Sequence, residues 1–171
     1  MSTDLTIDNI IDYVADFIEG MDLGTCQQAQ VDRVPMPLGV FNILTPLRFR
    51  RLGTTKDTYV DTGDNTTATM SYTEIREAHI QVDLYGEQAG DRAIQLETMF
   101  ASSYGYETIK ALDDRLAPLY ATEAIQAPMI NSESQWQERY IITLTLQAHI
   151  TVSLSQAYFD TVSITPTQVD I

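Results

Sequence analysis

Between Arg139 and Leu154 the chain alternates polar and apolar side chains over sixteen residues with one exception. Tyr140, Ile142, Leu144, Leu146, Ala148, Ile150, Val152 and Leu154 hold the even positions. The odd positions are polar apart from Ile141: Arg139, Thr143, Thr145, Gln147, His149, Thr151 and Ser153. Successive strand side chains point to opposite faces, so the segment predicts a two-faced strand with one buried side and one wet or partner-facing side. At roughly 3.3 Å per residue it spans about 50 Å, where a usual strand has ~5–6 residues. Such a strand overhangs an ordinary core. It suits a barrel, an arm, or a sheet continued by neighbouring subunits.

A chain of 171 residues with 44% apolar and 20% charged side chains is long enough for one globular domain, spanning 1–171, with a real core. Asp and Glu outnumber Lys and Arg by 24 to 10, for a formal charge of −14. That field repels phosphate backbones and argues against a tight nucleic-acid binder, while suiting a protein past which DNA slides without sticking. Cys26 is the single cysteine, so no internal disulfide forms, which fits a reducing compartment; it reads as a small semi-buried hydrophobe. Met1-Ser2-Thr3-Asp4 is acidic where a secretory signal is basic, and no apolar run approaches the ~20 residues that cross a bilayer. The expectation is a protein made and assembled in a cytoplasm, with no membrane partner.

Ile7, Ile10, Ile11, Val14, Phe17 and Ile18 form one helical stripe, with Asp8, Asp12 and Asp16 on another face. Thr6 is its N-cap candidate, and Gly20 or Gly24 its stop. Val31–Gly39 is proline-punctuated and extended. Val40–Arg50 reads as a strand interrupted or bulged at Pro46, followed by a polar loop from Arg51 to Thr67 with a short strand at Thr58–Val60. A second long strand runs from Ala68 to Tyr85, its in-phase Glu74 and Arg76 marking a bulge or an exposed middle. Ala78–Leu84 and Leu154's segment, Ala148–Leu154, share the pattern AHI-x-V-x-L, as paired strands with matching faces would.

Beyond Gly90 a helix starts at Asp91 with Ala93, Ile94, Leu96, Met99 and Phe100 facing inward, and a short helix at Glu107–Leu112 follows a break at Gly105. Leu119–Ile130 and Ala157–Ile164 read as further strands. The order predicts an α+β fold: a mixed or antiparallel sheet with long strands, flanked by an N-terminal helix and one or two mid-chain helices.

No reaction centre emerges. Asp61-Thr62-Gly63 matches the aspartic-protease triplet, but Asp64 and Asn65 follow it where Ala or Ser belongs, and no apolar-apolar-Gly strand backs it. It reads as a turn. His79 and His149 are too few for a closed metal site, and no nucleotide-binding, hydrolase-elbow or Cys-x-x-Cys motif is present. No catalytic, cofactor or metal residue is assigned. Arg48, Arg50 and Arg51 are the one basic concentration: either a charged strand edge that resists aggregation or a docking patch for an acidic partner.

The layout resembles the phage tail-terminator or neck-terminator family of long-tailed, contractile-type bacteriophages. The N-terminal amphipathic helix, the Arg33-Val34-Pro35-Met36-Pro37-Leu38-Gly39 stretch feeding a strand, and the Ile75–Phe100 block with its Tyr85-Gly86 turn and Gly90-Asp91 helix start carry the resemblance. It implies a structural virion protein without enzymatic activity, assembled as a hexameric ring at the head-proximal end of the tail. Such a ring caps tube growth, joins the tail to the neck and leaves a channel for DNA; its partners are the tail-tube protein, the sheath and head-completion or connector proteins. On that reading Lys56, Asp57, Tyr59, Asp61 and Asp64 belong to a loop reaching a neighbouring subunit or the sheath. Six copies at −14 each sum to −84, a field in which a polyanion passes without adhering. The alternatives are another neck component, such as a head-completion or adaptor protein, or a small acidic ligand-binding barrel.

Overall fold

The computed structural model describes residues 2–29, 39–60, 68–130 and 136–155. In chain order these form β1 (Ser2–Thr3), α1 (Ile7–Gly20), β2 (Thr25–Gln28), β3 (Phe41–Val60), β4 (Thr69–Tyr85), α2 (Ala89–Phe100), α3 (Ser103–Leu112), β5 (Leu116–Ala121), β6 (Ile125–Gln126), β7 (Met129–Ile130), β8 (Trp136–Gln137) and β9 (Arg139–Ser155). The main sheet runs β1-β9-β4-β3-β2, with β5 and β6 also paired to β9. Among the described strands only β2–β3 is parallel, so the sheet is mixed. The fold is α+β, as expected. Among the described residues the strand path is open rather than closed into a barrel.

The alternation seen in the sequence builds the core. β4 and β9 pair antiparallel from Tyr85↔Arg139 to Thr69↔Ser155 without a register shift. One face carries Ala78, Ile80, Val82 and Leu84 beside Ile142, Leu144, Leu146 and Ala148, all without exposed surface. On that face lie Ile10, Ile11, Val14, Phe17 and Ile18 of α1, Ala93, Leu96 and Phe100 of α2, and Ile109 of α3. Each large side chain so buried contributes about 1.5–3 kcal/mol before entropy is counted. The AHI-x-V-x-L echo lies on two paired strands with matching faces, but the segments are offset: Ala78 faces Leu146, while Ala148 faces Arg76.

Local chemistry sets the helix ends. Thr6 caps α1, its hydroxyl accepting from Asn9 N at 3.2 Å while Asn9 Oδ1 accepts from Thr6 N at 3.1 Å. Gly20 is the last helical residue, and the left-handed turn falls on Asp22 at φ 58°. α2 turns Ala89, Ala93, Leu96 and Phe100 inward and leaves Ile94 59% exposed, against expectation; Ile94 sits one residue off that stripe. Gly105, expected as a break, lies inside α3, which starts at Ser103. A Cβ there would meet the Met99 and Phe100 carbonyls at 2.5 Å, so this glycine permits the close α2–α3 corner.

Two further expectations are corrected. Arg51–Val60 is not loop but the second half of β3, paired with β4 as far as Val60↔Thr69. Its polarity has a physical origin: this half projects beyond the helices, both faces are wet, and no hydrophobic alternation is required. Leu119–Ile130 is not one strand but the end of β5, then β6 and β7, interrupted at residues 122–124 and at Ala127-Pro128. The bulge at Pro46 occurs as expected; β4 pairs with β9 unbroken through Glu74 and Arg76, while on its other side the second register shift, between Leu52 and Lys56 of β3 around Gly53 at φ +83°, falls opposite Glu74. Most of the proline-punctuated stretch (30–38) and the expected last strand, 157–164, lie outside the described residues.

Candidate assembly surfaces

The register divides the sheet into a helix-covered base and a projecting blade. In register, residues 41–49 of β3, 78–85 of β4 and 139–146 of β9 form the base; 50–60, 69–77 and 147–155 continue it to where, of the helices, only the start of α1 reaches. Side chains of β4 that are buried throughout most of the base become half-buried along the whole blade. On the helix side, Phe49, Tyr72, Glu74, Arg76, Ile150 and Val152 line an open groove of about 460 Å³, closed above by Leu5, Thr6, Ile7 and Asp8 at the start of α1. Within it Arg76 donates to Glu74 Oε2 at 3.0 and 2.6 Å, and Thr55 donates to Glu74 Oε1 at 2.9 Å. The Thr55 hydrogen bond, then Arg76, holds the Glu74 carboxyl below the usual carboxylate range. A carboxylate so satisfied is a structural acceptor.

The opposite face carries a polar network. His79 Nε2 is 3.1 Å from Glu77 Oε1 and 3.3 Å from an Arg48 nitrogen; its Nδ1 is 3.4 Å from Thr145 Oγ1. Tyr120 donates to Glu77 Oε1 at 3.2 Å. The sequence Thr–His–Glu has the order of a hydrolase relay, but Thr145 is 0% exposed and offers no surface to a substrate. Thr145 is also the exception to the wet odd positions of β9. It lies between His79 of β4 and Tyr120 of β5, and these larger side chains flank it. His149 lies elsewhere on β9, opposite Ile75 and bonded to Gln147 at 2.9 Å, so the two histidines do not converge. Cys26 is half-buried, its thiol pushed up to about 12 chiefly by burial, so it is a poor nucleophile.

The three arginines of the basic cluster are divided between faces. Arg48 and Arg50 stand opposite His79 and Glu77 on the open face; Arg51 stands opposite Arg76 on the groove side, 3.6 Å from Glu74. Lys56, Asp57 and Tyr59 are exposed in the last rows of β3, in strand rather than loop; Asp61 and Asp64 lie outside the described residues, as does the Asp-Thr-Gly triplet. The outer edge of β3 is covered by β2 only from Phe41 to Leu44. From Thr45 to Val60 no other described strand pairs with it.

One surface escaped the sequence reading. β7 and β8 form a two-stranded arm placing Ile130 directly opposite Trp136, 55% and 74% exposed. Trp136 immediately precedes the base end of β9, so this apolar pair and the blade tip mark opposite ends of the long strands. The polar Asn131–Gln135 stretch between two apolar residues was the available signal. A family model described as phage neck terminator protein matches residues 8–170 of the chain. Comparison with curated proteins returns no match.

Proposed function

Because this chain belongs to the phage neck terminator protein family, we propose that six copies close into a ring on the last ring of the tail tube. It is a structural component of the phage tail and neck. In the proposed role, one face of the ring matches the tube's repeating interface and the other offers a different surface to the neck, so growth stops there. The sheath and the head-completion or connector proteins are the further partners, and DNA passes through the channel without adhering.

The observation that carries this reading is the blade. Three paired strands extend beyond the helix-buried base, with an apolar groove on one face and an open edge on β3. A lone soluble domain gains nothing from such an overhang, whereas neighbouring subunits can bury it. A site in the head-proximal neck, as a head-completion or adaptor protein, is the second reading, favoured by the same exposed surfaces. Deleting the gene separates the two. Loss of a terminator gives overlong or headless tubes beside filled heads in negative-stain micrographs. Tails of normal length accumulating beside unjoined heads would overturn the terminator role in favour of the adaptor.

A further inference from the structure

β3 is the basic element of an acidic molecule. Arg48, Arg50, Arg51 and Lys56 are four of the ten cations, and Asp57 is one of the twenty-four acids, so β3 carries +3 and the rest of the chain −17. Arg48 and Arg51 are engaged by His79 and Glu74. Arg50 and Lys56 are exposed and form no ion pair with a described residue. These cations lie along the stretch from Thr45 to Val60 whose outer backbone edge has no described strand partner.

α1 is the reverse. Asp8, Asp12 and Asp16 recur every four residues on its exposed side, with Glu19 beyond them, and no Lys or Arg occurs before Arg33. Like charges at that spacing repel one another along a helix face. Asp12 and Asp16 meet no cation among the described residues.

We propose that the open basic edge of β3 is the contact surface for a second copy of this chain, which sets the exposed acidic side of its α1 against Arg50 and Lys56. The inference rests on the ring reading and deepens it. A symmetric pairing of two β3 edges would oppose +3 with +3 and is disfavoured. The contact joins two different patches, and under the ring reading it repeats head to tail rather than being returned across a two-fold axis; such heterologous contacts generate rings when the rotation closes. The same cations that forbid edge-to-edge pairing select the acidic partner.

The test reverses charge without removing it, using the full chain alone and with isolated tail tubes. Arg50→Glu with Lys56→Glu keeps the edge charged and still protected against aggregation, as does Asp12→Lys with Asp16→Lys on α1. Each pair should weaken assembly about tenfold or more by mass photometry, with helix and sheet signals unchanged by circular dichroism, and the four substitutions together should restore it. Rings unaffected by either reversal would overturn the contact while leaving the ring reading intact. Two weakened variants that the combined protein fails to rescue would also overturn it. A wild-type chain that stays monomeric both alone and on tubes would overturn the ring reading itself, and the contact with it.

Discussion

Asp113 illustrates what single residues do in this molecule and how little of it a sequence discloses. It follows α3 and accepts from both the backbone and the guanidinium of Arg115, which also reaches the Asp4 carbonyl at 2.9 Å and its carboxylate at 3.3 Å. Asp4 in turn accepts from Thr151 N at 2.7 Å, so the cluster ties the segment between β1 and α1 to β5 and β9. The Arg115 hydrogen bond holds the Asp113 carboxyl below the usual range. A folded value lower than the unfolded ~3.9 means that its stabilisation is complete above that pH and fades as pH falls through the folded value. Asp113→Asn should therefore cost about 1–2 kcal/mol in urea unfolding at pH 7. The gap to wild type should shrink below about pH 4; a gap undiminished at pH 3 would mean that the carboxylate charge is irrelevant. Nothing in Asp113-Asp114-Arg115 announces a partner 111 residues away. The Thr6 cap was legible because its Asn9 partner lies three residues on.

Among elements, legibility followed burial. α1 and the base of β9 were readable because each buries one face, which imprints its period on the sequence. The distal half of β3 was unreadable for the opposite reason: strand geometry outside a core leaves no such imprint. Thr145 marks the boundary of the alternation argument, being polar, on the wet side by parity and yet fully buried. The clean contrast on β9 is thus Leu146 against His149, which is exposed. Leu146→Asp places a carboxylate in the apolar core and should cost roughly 4 kcal/mol or more, read as insolubility or a collapsed melting temperature. His149→Asp should stay within about 0.5 kcal/mol of wild type. Equal insolubility of the two would mean that both faces of this strand are covered within the subunit.

At the scale of the molecule, the family was legible from the layout of segments, whereas the surfaces were not, because Arg51 falls on the face opposite Arg48 and Arg50 only if β3 continues through it, and the polar stretch from Arg51 reads as loop. The net −14 has a consequence that does not depend on that division. Free duplex DNA should give no gel shift even at low salt, where phosphate attraction is strongest. A shift that faded steeply with added salt would instead identify β3 as a phosphate-binding strip. The central ladder also sets the tempo at which this chain acquires its shape. β3 and β4 are successive strands and can zip together early, but β4 must keep its other side vacant until α2, α3 and β5 have been synthesised and β9 arrives, since Tyr85 pairs with Arg139 and Thr69 with Ser155. Closing loops of that span before any contact rewards them places the chain among slow folders. During that wait two long strand edges stand open in a crowded cell, and the cations of β3 guard only one of them.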